Sequence, residues 1–227
     1  KTEVSGGDWY HQIKVGSRVD IMPKPMFFRI ARQGGTSSVI VMYDNAGEHF
    51  LPTAENAEPP QTRHLGQAQA LVFVFDPRMV HSSEKSQRQE LILIETIARI
   101  RRFAGVGQNS KLGIPVIIAL TKADLWAAKL GIDLTHPPIA ASKIVDLDRS
   151  KIEEISLIAQ AFISRTFPEL MQSLSAFVDT LYWVPCSSMR STVDSQAGTE
   201  DIRPQASWAE VPFLLAYDEV ARRQGRR

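Results

Sequence analysis

Ile114-Pro115-Val116-Ile117-Ile118-Ala119-Leu120 runs straight into Thr121-Lys122-Ala123-Asp124, and this junction decides the fold. An unbroken apolar run rich in branched residues reads as a strand covered on both faces, the kind that parallel sheets contain. Thr121 to Asp124 are polar and charged apart from Ala123, so side chains capable of chemistry land at the C-terminal end of the strand. Open α/β sheets keep their ligand sites there. The arrangement recurs on either side. Val39-Ile40-Val41-Met42-Tyr43 leads into Asp44-Asn45-Ala46-Gly47, and Tyr182-Trp183-Val184-Pro185 leads into Cys186-Ser187-Ser188-Met189.

Met26 to Gln33 and Val39 to Tyr43 read as two strands joined by Gly34-Gly35-Thr36-Ser37-Ser38, a hairpin-type connection. Residues 51–66, rich in Pro, Glu, Asn and Thr, read as a mobile loop. Leu71-Val72-Phe73-Val74-Phe75 is a further strand with the signature of cover on both faces. Leu91, Ile94, Ile97, Ala98 and Phe103 give Ser86 to Phe103 a helical spacing. Residues 127–148 look irregular around Pro137-Pro138. Helices are expected at about 150–166 and 168–180, broken at Pro168, the first with the stripe Ile152, Ile155, Ile158, Phe162 and Ile163. Such a stripe serves core packing. A strand at 181–185, a polar loop at 190–206 and a last helix near 207–223 complete the pattern. Ser207 and Glu210 suit a capping box at that helix start. Strands alternating with helices predict an α/β fold with a doubly wound, mostly parallel sheet. The organisation expected is an irregular segment at 1–25, then one domain at 26–223 with a helical insertion at about 127–180.

Composition narrows the function classes. The 44% hydrophobic content supports a sizeable core, and a formal net charge of +1 provides no field for steering nucleic acid or membranes. One cysteine, Cys186, excludes an internal disulfide and fits a reducing compartment. No apolar stretch approaches the ~18 residues of a membrane span. These features together give a cytoplasmic reading, with neither nucleic acid nor a membrane span among the partners.

Asp44 to Gly47 has the form D-x-x-G, and Thr121 to Asp124 the form [N/T]-K-x-D. In this order they resemble the Mg-phosphate and guanine-reading elements of the GTPase superfamily, and Cys186 to Met189 looks like the purine-contacting third element. Tyr43-Asp44-Asn45-Ala46-Gly47-Glu48, with the long stretch between Asp124 and Ser187, resembles bacterial double-GTPase-type domains across roughly residues 26–220. That resemblance implies a P-loop NTPase fold binding GTP or GDP with Mg²⁺, in a domain that is part of a larger protein with an effector or adjacent domains.

Each residue carries a role and a plainer alternative. Asp44 would hold Mg²⁺ through a water, since that ion dehydrates reluctantly. Gly47 would let its N–H approach the terminal phosphate with no Cβ in the way. Asp-Asn-Ala-Gly is also ordinary turn chemistry. Asp124 can accept from the ring N–H and exocyclic amine of guanine, whereas adenine would leave it unsatisfied. Lys122 can lay its stem over the base, and Thr121 stands where many GTPases use Asn. The alternative makes Asp124 a helix cap. Ser187 and Ser188 would offer N–H groups to guanine O6, with Cys186 a buried spacer rather than a nucleophile. Asp76, after the strand ending at Phe75, reads as a strand-end turn.

Two departures stand out. No G-x-x-x-x-G-K-[S/T] loop occurs in the sequence, which begins on Lys1. The loop either lies upstream in a longer protein or has been lost, and without its unit the sheet lacks the strand that usually sits at its centre. Glu48 occupies the position after D-x-x-G where Ras-type GTPases place Gln, so it is the candidate catalytic group. A carboxylate there offers no amide donor and faces the γ-phosphate with like charge, which predicts slow intrinsic hydrolysis. The expected function is a GTPase-type switch, and the alternative is a pseudo-GTPase acting as an interaction module.

Overall fold

Phe27 stands opposite Val41 and Phe28 opposite Ile40 in an antiparallel ladder between β1 (Pro25–Ile30) and β2 (Ser38–Tyr43). The expected hairpin pairing is therefore present, although Gly34 and its neighbours lie outside the described residues. The computed structural model describes residues 25–30, 38–44, 50, 60–78, 83–107, 110–138, 147–188, 190–193, 200–203 and 206–225. Two units divide the chain, Lys1–Leu65 and Gly66–Arg227. In the first, β2 alternates strictly, with Val39, Val41 and Tyr43 exposed and Ile40 and Met42 half-buried. Tyr43 stacks on His64, ring centroids 4.2 Å apart. His64 belongs to a 3-10 helix, Pro60–Gln67, so the end of the predicted loop is ordered structure.

The second unit holds three parallel strands, β3 (Leu71–Phe75), β4 (Val116–Leu120) and β5 (Leu181–Pro185), in the order β3-β4-β5. Every residue of β4 is buried, as its unbroken apolar sequence requires. β3 corrects the sequence reading. Val72 and Val74 are exposed, the latter at 65%, so among the described residues this strand ends its sheet and is covered on one face. A continuous apolar run cannot distinguish a central strand from an edge strand with one open face.

Between β3 and β4 runs α1 (Ser83–Phe103). Its core residues are Leu93, Ile97 and Ile100, whereas the expected Leu91 is exposed, because the apolar positions of this helix fit two overlapping phases. Two helices, α2 (Arg149–Thr166) and α3 (Pro168–Phe177), carry the chain from β4 to β5. Asp148 caps α2 by accepting from the Lys151 N–H at 3.1 Å, and Pro168 opens α3 at its first turn, where no donor is needed. The predicted stripe is kept at Ile152, Ile155 and Ile163, but Ile158 is exposed and Ala159 lies inside instead.

Residues 190–206 are not simply a loop. β6 (Arg190–Val193) and β7 (Glu200–Arg203) pair antiparallel, a hairpin hidden by its polar sequence. The last helix, α4 (Val211–Gly225), starts four residues later than Ser207 suggested. Ser207 exchanges both backbone hydrogen bonds with Ser187, and buried Trp208 takes a left-handed conformation with φ 56°, so neither can open a helix. α4 packs on β3 and β4, and α2 on β5. Arg149 at the start of α2 joins these layers through ion pairs with Asp218 and Glu219 and a 3.0 Å hydrogen bond to the Tyr182 hydroxyl. The architecture is α/β. Among the described residues no helix is long and apolar enough to cross a membrane.

Candidate functional site

Phe75, Leu120 and Pro185 are in register across β3, β4 and β5, so the three chain segments beyond them emerge side by side. Asp76, Thr121 and Cys186 are the first residues of those segments. Backbone bonds sew them together. The Thr121 N–H donates to the Phe75 carbonyl at 2.8 Å, the Cys186 N–H to Leu120 at 2.8 Å, and the Ala123 N–H to Cys186 at 3.1 Å. The Thr121 hydroxyl adds a 3.3 Å bond to the Phe75 carbonyl.

The loop after β4 makes a tight reversal. Lys122 sits in the left-handed region, φ 56° and ψ 35°, which costs a residue bearing a Cβ about 1–2 kcal/mol. Neighbouring bonds hold it there: Leu125 N–H donates to the Lys122 carbonyl at 3.0 Å, and the indole N–H of buried Trp126 to the Thr121 carbonyl at 3.0 Å. Trp126 is fixed in turn by stacking on Phe162. Strain at a residue so thoroughly held is what functional loops show.

Asp124 belongs to the short 3-10 helix Ala123–Leu125, whose N-cap position is Lys122. Asp124 is therefore not the helix cap of the alternative reading. Its side chain instead accepts a short hydrogen bond from the hydroxyl of buried Ser187, at the head of the neighbouring strand's loop. Asp124 itself is exposed, so the carboxylate is oriented from behind and open in front.

Ser187 differs in detail from expectation. Its N–H donates to the Ser207 carbonyl at 2.8 Å and is thereby committed. Ser188, one residue further, is exposed. Cys186 is buried, and burial pushes its thiol up to about 11, which keeps it protonated and unreactive at neutral pH.

Sequence reasoning missed the partner of Lys122. The Lys122 ammonium lies 2.7 Å from the carboxylate of Asp76, which is buried. Asp76 does form the strand-end turn, accepting the Arg78 N–H at 3.1 Å, and the Arg78 guanidinium reaches the same carboxylate. Burial pushes this carboxyl up, but the bonds from Lys122 and Arg78 outweigh burial and hold it below the ordinary 3.8. The available signal was positional, since Asp76 and Thr121 end adjacent strands at matching register.

Thr121, Lys122, Asp124, Ser187 and Ser188 thus come together at one end of the parallel sheet. Asp44 is exposed at the end of β2 in the other unit. Gly47 and Glu48 lie outside the described residues. Among the described residues no group of three or more His, Cys, Asp or Glu side chains could hold a metal ion. Mg²⁺ of the kind nucleotides carry takes one or two carboxylates, with water and phosphate completing its shell; of the D-x-x-G residues only Asp44 is described, and it is exposed.

The fold and the candidate site are those of an α/β domain with a parallel sheet whose strained K-x-D loop is held against the serine of a second loop. The sequence model of the Double-GTPase 2 family matches residues 21–179, and the chain belongs to that family. Comparison with curated proteins returned no match, nor did comparison with solved structures.

Proposed function

We propose that this chain is a guanine-nucleotide-binding domain of the GTPase type, acting as a switch within a larger protein. The observation that carries the reading is the Ser187–Asp124 hydrogen bond beside the half-exposed Lys122 side chain. The oriented carboxylate of Asp124 takes two donors from guanine, each charge-assisted bond being worth about 1.5–3 kcal/mol. The Lys122 stem covers one face of the base, Thr121 ties the loop to β3, and the Ser188 N–H is the donor for guanine O6. The parallel order β3-β4-β5 with helical crossovers supports a P-loop NTPase relationship.

The phosphate end rests on the D-x-x-G sequence. Where a phosphate loop completes the site, Asp44 would be the residue to hold Mg²⁺, Gly47 would present its N–H to the terminal phosphate, and Glu48 would occupy the position that governs the attacking water. The chemistry Mg²⁺ would supply there is neutralisation of phosphate charge. Intrinsic hydrolysis is slow, because Glu48 lacks the amide donor used to orient water. Equilibrium competition between GDP and ADP for the chain tests the reading. Guanine preference is expected, and equal affinity for the two bases sinks it.

One observation favours the second reading, an interaction module without turnover. Phe27 and Val39 on the hairpin are 68% and 66% exposed, and Val74 on β3 is 65% exposed. Apolar strand faces of this kind suit protein partners. Under that reading Val74→Lys abolishes partner capture while nucleotide affinity stays as it was.

A further inference from the structure

Among the described residues, Asp76 is the buried acid at the site to which guanine reading and Mg²⁺ binding give no role. Its surroundings are built rather than incidental. The Asp76 N–H donates to the Gln89 side-chain oxygen at 3.0 Å, and the Gln89 amide donates back to the Asp76 carbonyl at 3.4 Å, so α1 grips the backbone from both sides. The Phe75 carbonyl just before it receives Thr121. Of the contacts to the carboxylate, the Lys122 ammonium at 2.7 Å is the closest, ahead of the Arg78 bonds at 3.1 to 3.4 Å.

We propose that Asp76 is a positioning residue for nucleotide selection: it anchors the Lys122 ammonium so that the lysine stem stands as a fixed wall for the guanine base. The inference rests on the assignment of guanine reading to Lys122 and Asp124, and adds to it a residue on a different strand. Lys122 is pinned at both ends, its backbone by the left-handed turn and its ammonium by Asp76. A lysine stem ordinarily surrenders its rotamer freedom when a ligand stacks on it. Here that freedom is already spent before the base arrives. The ammonium also keeps its charge partner, so the stem alone has to meet the purine. Arg78 holds the far side of the same carboxylate and keeps Asp76 ionised in a buried position.

The test measures GMP and AMP binding to the full chain by saturation-transfer NMR, which reads weak affinities. Asp76→Asn should weaken GMP binding by roughly 5- to 30-fold, the range that ordering one long side chain covers. Lys122→Met keeps the apolar stem and removes the ammonium, and it should weaken GMP comparably. Adding Asp76→Asn to Lys122→Met should then change nothing more, because the anchor has lost its load. Asp76→Glu, which keeps the charge, should recover most of the affinity that Asp76→Asn loses. Unchanged GMP binding in Asp76→Asn overturns the inference while leaving guanine reading intact. So does an equal loss in the presence and absence of the Lys122 ammonium. If Asp76→Asn does not fold, parent-like GMP affinity in Lys122→Met overturns it by itself. A parent chain with no preference for GMP over AMP removes the guanine reading, and the role of Asp76 falls with it.

Discussion

The Ser187 hydroxyl donates to the Asp124 carboxylate across the ends of two adjacent parallel strands. One residue supplies the charge and the other sets its direction. Because Ser187 is buried and Asp124 exposed, the pair presents an oriented acceptor to solvent. Removing either member should therefore have different consequences.

Asp124→Asn should cut guanine-nucleotide affinity by roughly 10- to 1000-fold, the loss of one or two charge-assisted bonds. The asparagine oxygen can still accept from Ser187, which turns its amide NH₂ toward the base. Xanthine nucleotides, with an oxygen in place of the 2-amine, should recover part of the affinity. Titration of GDP and XDP against parent and variant checks both halves. Equal GDP affinity in the two proteins removes Asp124 from the site.

Ser187→Ala leaves the charge in place but frees its orientation. Guanine affinity should fall by about 5- to 30-fold, less than for Asp124→Asn, since one hydrogen bond to a charged group is at stake. Selectivity for guanine over adenine should survive. The backbone bonds between Ser187 and Ser207 do not involve the side chain, so the fold should persist. Isothermal titration with both nucleotides distinguishes this from a loss of selectivity, which would mean that Ser187 itself reads the base.

The Tyr182 phenol is pushed up to about 12, by burial first and then by the Glu219 carboxylate, with Arg149 opposing them. A raised folded-state value means that stability is fully present below the unfolded value of 10.0 and is lost as pH rises through about 12. Of the four tyrosines, one should ionise late in a tyrosinate absorbance titration, and Tyr182→Phe should remove that step. Urea unfolding should show the parent losing stability above pH 10 more steeply than the variant. A titration without a late step contradicts the Arg149–Tyr182–Glu219 cluster.

The sequence located the loops of the candidate site at the sheet end because their residues come directly after long apolar runs. β4 announced itself through unbroken burial, and Thr121 to Asp124 had to stand at its end. Pro168 marked the break between α2 and α3 for a reason any chain obeys, the lost N–H. Pairings across the sheet were not legible. Asp76 and Lys122 are far apart in sequence and meet only because β3 and β4 align in one register. Ser207 matched a capping box, but its backbone was claimed by Ser187, and tertiary pairing overrode the local signal. The open face of β3 was hidden too, since Val72 and Val74 read as buried in any scale that sees only hydropathy.

The chain as sequenced should bind GTP scarcely better than GMP. A phosphate loop normally contributes several backbone N–H donors and a lysine to the β- and γ-phosphates, and no G-x-x-x-x-G-K-[S/T] occurs among these residues. The residues that the fold assembles, Thr121, Lys122 and Asp124 with Ser187 and Ser188, are those proposed to read the base. Lys122 cannot stand in for the missing lysine while its ammonium is held 2.7 Å from Asp76. Each phosphate added to GMP should therefore change affinity by a small factor only, and added Mg²⁺ should matter little. Calorimetry with GMP, GDP and GTP, each with and without Mg²⁺, reads this directly. If GTP binds orders of magnitude more tightly than GMP and depends on Mg²⁺, the triphosphate has found a cradle elsewhere in the chain. The residues beyond Asp44 in D-x-x-G would then be the first place to look, by substituting Gly47 and Glu48 and repeating the titration.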